Sequence, residues 1–356
     1  MKAITSLAAY RARSMKGNVH PKIILGGPLV LLLILTGSLW QTGCLAPGPP
    51  AEKITVGSIL SRISGLLYVA QDQGYFKAQG LDVDIKTYAS SPESLKDLKA
   101  GHIDLACCGI FNLVKEALAG GSNLRALTVL CNGQIMDLIA SRDRGIREPA
   151  DLRGKAIGLM KDSAAEYFLG VFLTLHHLTL QEVRIVAVKP FALGEALATG
   201  EVDAVVAWEP YIGEIVKKMG NAVVTWPSQE GQDIFWVMAG RREYLKSHFA
   251  TMEKLLLALE QASKFIKEHP AEAKKIMSRR ATFLPADWDK YPVRYDLFLD
   301  QGLLLHMEDE AAWLIHNRPT DRKELPNFMD YLDPEPLLKV NPRAVRLALP
   351  GSVSPY

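Results

Sequence analysis

Cysteine is scarce in this chain: there are four in 356 residues, at positions 44, 107, 108 and 131. Two of them are adjacent and cannot bridge without strain, so no even-numbered disulfide framework is expected. Metal-ligand spacing is lacking too. The histidine pair His176 and His177 lies in a helical apolar run, where successive side chains point in different directions and make a poor bidentate site. Neither paired carboxylates nor a nucleophile–base pair can be assigned from spacing. Acidic residues are absent from Met1 to Gly43, a stretch that carries Lys2, Arg11, Arg13, Lys16 and Lys22. Those five residues explain the mild basicity of the chain: its formal charge is +2, but without them 36 basic residues face 39 acidic ones, giving −3. That balance leaves no basic footprint for nucleic acid.

Charge is missing altogether from Ile23 to Ala51, and the run is most apolar at "LVLLLIL", Leu29 to Leu35. A basic start, an apolar centre and small residues ahead of a cut predict a secretory signal over residues 1–43. A spanning helix competes, since Ile23 to Trp40 is 18 residues long, long enough to cross a bilayer. Gly26, Gly27 and Pro28 interrupt it, which favours the signal. Met15 would open a signal of more usual length. "APGPPAE" then reads as part of a stiff tether over residues 44–52, because proline-rich segments stay extended. The 306 residues from Ala51 onward exceed what usually folds around one core, so two lobes are expected.

One phrase is written twice. In "SLKDLKAGHIDLACCG" and "GEALATGEVDAVVAWEP", Leu98, Gly101 and Asp104 match Leu197, Gly200 and Asp203, each 99 residues on. The residues before each glycine have helical apolar spacing. The glycine suits the left-handed conformation that ends a helix, and the apolar run after it reads as a buried strand. The two aspartates suit local backbone donors at the strand entry, a structural duty. Upstream, "KITVGSILSRISGLLYVAQDQGYF" and "GKAIGLMKDSAAEYFLGVFLTLHHL" both read as strand, polar loop and helix. That order opens a βαβ unit and predicts parallel sheets. Lobe one is expected over residues 53–138 and 237–356, and lobe two over 139–236. Beyond "DIFWVMAG" the pattern is helical, divided by Pro270. The proline-punctuated remainder from about Thr282 reads as a tail wrapped on the first lobe.

"LWQTGCLAPGPP" resembles the lipobox of bacterial lipoproteins, with Gln41 where leucine is usual. The resemblance implies acylation of Cys44 and anchoring at the membrane; an ordinary cleaved signal is the alternative. "GYFKAQGLDVDI", "LKAGHIDLACCG", "DLRGKAIGL", "GEVDAVVAWEPY" and "LPNFMDYL" resemble, in order and spacing, the substrate-binding proteins of bacterial ABC importers for nitrate, sulfonate and taurine. The resemblance spans Lys53 to Leu349. It implies an α/β, two-lobed type II periplasmic-binding fold with two crossing segments and helices at the C-terminus. It further implies a monomer facing the periplasm or cell exterior, which hands a small polar or anionic ligand to a permease and uses no metal or cofactor. Two other readings are an enzyme on the same fold, since the thiamine-pyrimidine synthases resemble this family and "CC" at Cys107 resembles part of their cysteine-rich cluster, and a sensor for a receptor partner.

In open parallel sheets the ligand lies beyond the carboxyl ends of the strands. Four loops then become candidates: "SRIS", "ASSPES", "CCGIF" and "KDSAAEY". Serines ahead of helices offer a hydroxyl and free backbone donors to an anion, or serve as plain N-caps. The expected contacts are Ser61, Arg62, Ser64, Ser90, Ser91, Cys108, Gly109, Ser163 and Ala164. Arg62 could grip a carboxylate or sulfonate or be a solvated charge, and Cys107 and Cys108 read as packing the strand rather than reacting. Trp208 and Glu209 join the list because the resembling family has this position near the cleft. An indole there offers an apolar wall or a cation–π face, and a carboxylate could take an amine; hinge packing is the other role for Trp208.

Overall fold

The computed structural model describes residues 50–120, 123–280, 291–318 and 323–348. The leader, Met15, Gln41, Cys44 and most of the tether lie outside the described residues, as does "PGSVSPY". The chain from Pro49 onward forms one compact unit. Among the described residues no helix is long and apolar enough to cross a membrane, and no group of three His, Cys, Asp or Glu could hold a metal ion.

The strands run β1 Glu52–Ile59, β2 Leu81–Tyr88, β3 Leu105–Gly109, β4 Leu124–Gly133, β5 Met136–Ser141, β6 Ala156–Leu159, β7 Arg184–Ala187, β8 Ala204–Trp208, β9 Val223–Pro227, β10 Ile234–Arg241 and β11 Val293–Arg294. Among the described residues they build a six-stranded sheet, β11-β4-β10-β3-β1-β2, and a five-stranded sheet, β7-β6-β8-β5-β9. β1 runs parallel to β2 and β3, and β6 parallel to β7 and β8. β10 opposes β3, and β5 opposes β8. Helices connect the parallel strands, as βαβ units require.

The repeated phrase does the same work in each sheet. The helices Ser91–Ala100 and Leu193–Thr199 end at Gly101 and Gly200, with φ of 78° and 79°, a conformation that glycine adopts without strain. The carboxylate Oδ2 of Asp104 accepts from the Thr55 amide at 2.8 Å, and that of Asp203 from the Ala156 amide at 2.8 Å. Their own amides donate back to Thr55 and Ala156. Each aspartate therefore pins the entry of one strand to its parallel neighbour. An arginine covers each phrase as well: Arg241 donates to Leu98 and Ile103 carbonyls, Arg144 to the Gly200 carbonyl.

The chain passes between the sheets twice, at Gly133–Met136 and at Pro227–Ile234, a few residues ahead of the expected divisions at 138/139 and 236/237. Gln229, fully buried, ties the two passages together. Its Oε1 accepts from the amides of Ile135 and Met136, and its Nε2 donates to the carbonyls of Gly133 (3.2 Å) and Gln232 (2.8 Å). Ser228 adds hydroxyl and amide bonds to the Met136 carbonyl. One amide side chain thus satisfies four backbone groups that would be costly to bury unpaired.

Both faces of the inner strands are buried. On β5 and β8, Leu138, Ala140, Ala204 and Val206 join the main core, while Ile139, Val205 and Ala207 join a smaller cluster with Leu197 and Ile215 on the other face. That is the period-two pattern of a sheet covered on both sides. The tail differs from expectation. β11 extends the first sheet, but the helix Gln301–Asn317 also packs on the helix Ala164–Leu175 of the second. There Trp313 lies edge-on to Tyr167 and over Gly170, and Arg318 pairs with the buried Glu166.

Candidate functional site

Topology decides where a site can form. The carboxyl ends of the parallel strands of both sheets face the passages between them, and helix N-termini gather there. Because β5 and β10 run antiparallel to their neighbours, their first residues, not their last, arrive at the same place. The register shows it: Met136 opposes Trp208, and Trp236 opposes Gly109.

A cavity of about 80 Å³ lies at this meeting point. From the first sheet's loops come Ser61, Ser90, Ser91, Gly109 and Asn112, and from the second's Met160, Ser163, Ala164 and Trp208. The passages add Ile135, Met136 and Ile234, and β10 adds Trp236. Three helices open on it: Ser91–Ala100 behind Ser90, Ile110–Leu118 behind Gly109, and Ala164–Leu175 behind Ser163. The first turn of each helix carries backbone donors without intrahelical partners and the positive end of the helix dipole. Ser163 is itself a cap: its hydroxyl accepts from Ala165 at 3.3 Å and donates to the Met160 carbonyl at 2.7 Å. Gly109 and Ser90 make no such side-chain cap. Among the described residues that line the cavity none is ionisable. The field inside comes from helix ends and hydroxyls, so it favours acceptors and anions over cations.

Seven of the expected contacts meet here: Ser61, Ser90, Ser91, Gly109, Ser163, Ala164 and Trp208. The other four stand elsewhere. Ser64 is buried behind β1, where its hydroxyl donates to the Ile59 carbonyl (2.7 Å) and receives that of Ser58 (2.6 Å). Arg62 is a buried side chain, not a solvated one. Burial lowers its pKa below the ordinary guanidinium value, against the opposing pull of Tyr295, Glu209, Cys131 and Tyr291 around it. Tyr295 from the tail also fixes this turn by donating to the Arg62 carbonyl at 2.9 Å. Cys108 packs inside β3, where burial pushes its thiol well above the ordinary value. Glu209 caps the helix Tyr211–Met219, accepting from Gly213 at 3.2 Å.

The sequence reading missed Trp236, Asn112, Met160 and the passage residues. For Trp236 the available signal was its position at the start of an antiparallel strand. Thiol chemistry finds no support here. Cys107, Cys108 and Cys131 are free and buried, and burial drives the Cys107 thiol up to about 12. A larger, open hollow of about 1180 Å³ lies elsewhere, around Arg125, Arg242, Lys246 and Tyr331. It sits at the opposite ends of β4 and β10, where no parallel strand of that sheet delivers its carboxyl end, and its lining mixes both charge signs. Topology, not size, marks the site.

Comparison with known proteins agrees with this geometry. A protein of Bacillus subtilis named for the binding of aliphatic sulfonates is 24% identical over 257 residues, 70% of this chain and 76% of that protein. The periplasmic aliphatic sulphonate binding protein SsuA from Escherichia coli superposes with a TM-score of 0.66 at 16% identity, covering 79% of this chain and 97% of that one. The desulfurization enzyme DSZB shares the fold as well, with a TM-score of 0.59 at 17% identity over 82% of this chain and 99% of that one. These likenesses show the two-lobed periplasmic-binding fold that the sequence predicted. The family description that matches is NMT1/THI5 like, over residues 64–273. With more than half of its length inside that match, the chain belongs to the NMT1/THI5-like family.

Proposed function

We propose that this protein is an extracytoplasmic solute-binding protein that captures a small sulfonate-like anion between its two lobes and delivers it to the permease of an ABC importer. The observation that carries the reading is the cavity between the sheets, walled by apolar side chains and opened onto by three helix N-termini. Closure about the two passages traps the ligand and presents a joined surface to the permease. The named binding activities of the sulfonate-binding relatives support the ligand class. The leader and Cys44 suit a lipid anchor that holds the protein outside the membrane as a monomer, and mass spectrometry of the mature N-terminus tests that part.

Binding without chemistry is favoured over an enzyme on the same fold, DSZB notwithstanding. Among the described lining residues there is no cysteine, histidine or carboxylate to act as nucleophile or base. The test is the melting temperature of the purified protein with a panel of alkanesulfonates, nitrate, sulfate and pyrimidines. A ligand at a hundred times its dissociation constant adds about 2.7 kcal/mol, a shift of several degrees. A shift for alkanesulfonates alone supports the reading; a shift for pyrimidines alone, or turnover of a bound compound, contradicts it.

A further inference from the structure

The flank of the inter-sheet cavity carries a chain of charges that neither the core nor the site accounts for. Lys115, on the helix Ile110–Leu118 of the first lobe, reaches across to the second and donates to Asp162 Oδ1 at 2.8 Å. Asp162 stands one residue ahead of the Ser163 cap, in left-handed backbone with a φ of 62°. Its amide donates to Glu166 Oε1 at 3.0 Å. Glu166 Oε2 accepts from Arg318, at the end of the tail helix Gln301–Asn317. Glu166 is buried, and a buried carboxylate is tolerated only when it is paired and hydrogen-bonded; here each oxygen has its partner. The turn that bears Asp162 is thus fixed from behind, and its carboxylate is presented to the other lobe. There the Lys115 ammonium holds it below the ordinary carboxylate range.

What lies beside the pair decides its duty. A hollow of about 320 Å³ opens between these elements, lined by Phe111, Leu118 and Leu314 as well as by the four charged residues. Apolar side chains that face a hollow lose the contacts that packing would give them, so charge, not packing, joins the lobes on this flank. Both partners also sit at the roots of the site. The helix that bears Lys115 begins behind Gly109, Asp162 adjoins Ser163, and Gly109 and Ser163 both line the cavity. A rotation about the two passages that parts Gly109 from Ser163 therefore draws Lys115 away from Asp162. Resting on the solute-binding reading above, we infer that Lys115 and Asp162 form a latch that touches no solute and holds the lobes shut over whichever one is bound. The latch sets how long a solute stays, not which solute is chosen.

Stopped-flow release of ethanesulfonate, followed by tryptophan fluorescence, tests this on the wild type, Lys115→Met, Asp162→Asn and the double variant. Asparagine tolerates left-handed backbone, so Asp162→Asn removes the charge and leaves the turn. Each single variant should release ethanesulfonate about two- to fivefold faster, the worth of one partly exposed ion pair. The double variant should be no faster than either single one, because both break the same pair. Added salt should speed release from the wild type and barely move the variants. Lys218→Met, which breaks a 2.8 Å pair with Glu195 inside the second lobe, should release as the wild type does. Small-angle X-ray scattering without solute should give both single variants a larger radius of gyration than the wild type. Unchanged release in the single variants, effects that multiply in the double variant, or an equal effect of Lys218→Met would overturn the latch and leave the sulfonate reading intact. If ethanesulfonate does not bind the wild type, the sulfonate reading falls and scattering decides the latch: curves identical to the wild type's overturn it, and more open variants uphold it.

Discussion

The two sheets solve the same problem with the indole placed on opposite partners. In the first, β3 ends in Gly109, and the opposing strand β10 lays Trp236 across it. In the second, β8 ends in Trp208 itself, and the opposing β5 contributes Met136. The far ends of these strands are nearly identical in design, with the same aspartate, the same glycine and an arginine over the helix end. The ends that carry framework repeat faithfully, whereas the ends that meet the cavity have diverged. Duplication is read best where the residues hold backbone, and binding is read where they stop matching.

That contrast can be broken experimentally, and the largest effect should come from the joint between the halves. Gln229→Leu would leave four backbone groups of the two passages unsatisfied in the core. It should cost about 3 kcal/mol or more, measured by urea denaturation, with loss of ligand closure if any folded protein remains. Asp104→Ala and Asp203→Ala come next. Each removes one charge-assisted bond to a strand-entry amide and should cost about 1–3 kcal/mol. If the two pins are equivalent the losses agree within about 0.5 kcal/mol; a large inequality would mean that the repeat is one of sequence only.

The glycines should separate the lobes instead of equating them. Gly101→Ala and Gly200→Ala both force a side chain into left-handed backbone, costing about 1 kcal/mol or somewhat more. A Cβ at Gly101 meets nothing within 4 Å, while one at Gly200 would overlap the Arg144 guanidinium. Gly200→Ala should therefore be the more damaging, and equal melting temperatures for the two variants would show that Arg144 yields freely.

The smallest effect concerns the tail helix over the second lobe. His306 and Glu310 lie 3.2 Å apart, nearly or fully buried, beside Tyr167, Phe168 and Phe235. Burial works against the imidazolium, yet the Glu310 carboxylate, aided by Asp309 and Asp233, holds His306 above its ordinary 6.5. Burial likewise lifts the Glu310 carboxyl above its ordinary value. A group raised on folding contributes stability that is present below its unfolded pKa and lost as the pH climbs through the folded one. Melting temperature should thus fall as the pH climbs above 6.5 and through the raised value of His306, and the His306→Gln/Glu310→Gln double variant should flatten that fall.

Much of the framework was legible because it rests on local rules. Gly101 and Gly200 announced helix ends, Pro270 stands at the head of its helix as its missing amide requires, and the strand Ala156–Leu159 was bounded by its loops. Seven cavity residues were reachable from the rule that ligands sit beyond parallel strands. The misses share one cause, direction. Ser64 and Cys108 have the right types at the right places in the chain, but turn geometry and strand alternation point them into the core. Trp236, Met136 and Ile234 belong to strands that run against their neighbours, and the sense of a strand is a property of the sheet that no window of sequence contains. The tail's reach onto the second lobe depends likewise on distant contacts such as Arg318 with Glu166.

The most direct test of the central claim is a crystal structure of the protein with ethanesulfonate. The account predicts density in the cavity between the sheets, with sulfonate oxygens at the helix ends behind Ser90, Gly109 and Ser163. Density at the open hollow around Arg125 and Arg242, with the inter-sheet cavity unchanged, would contradict it.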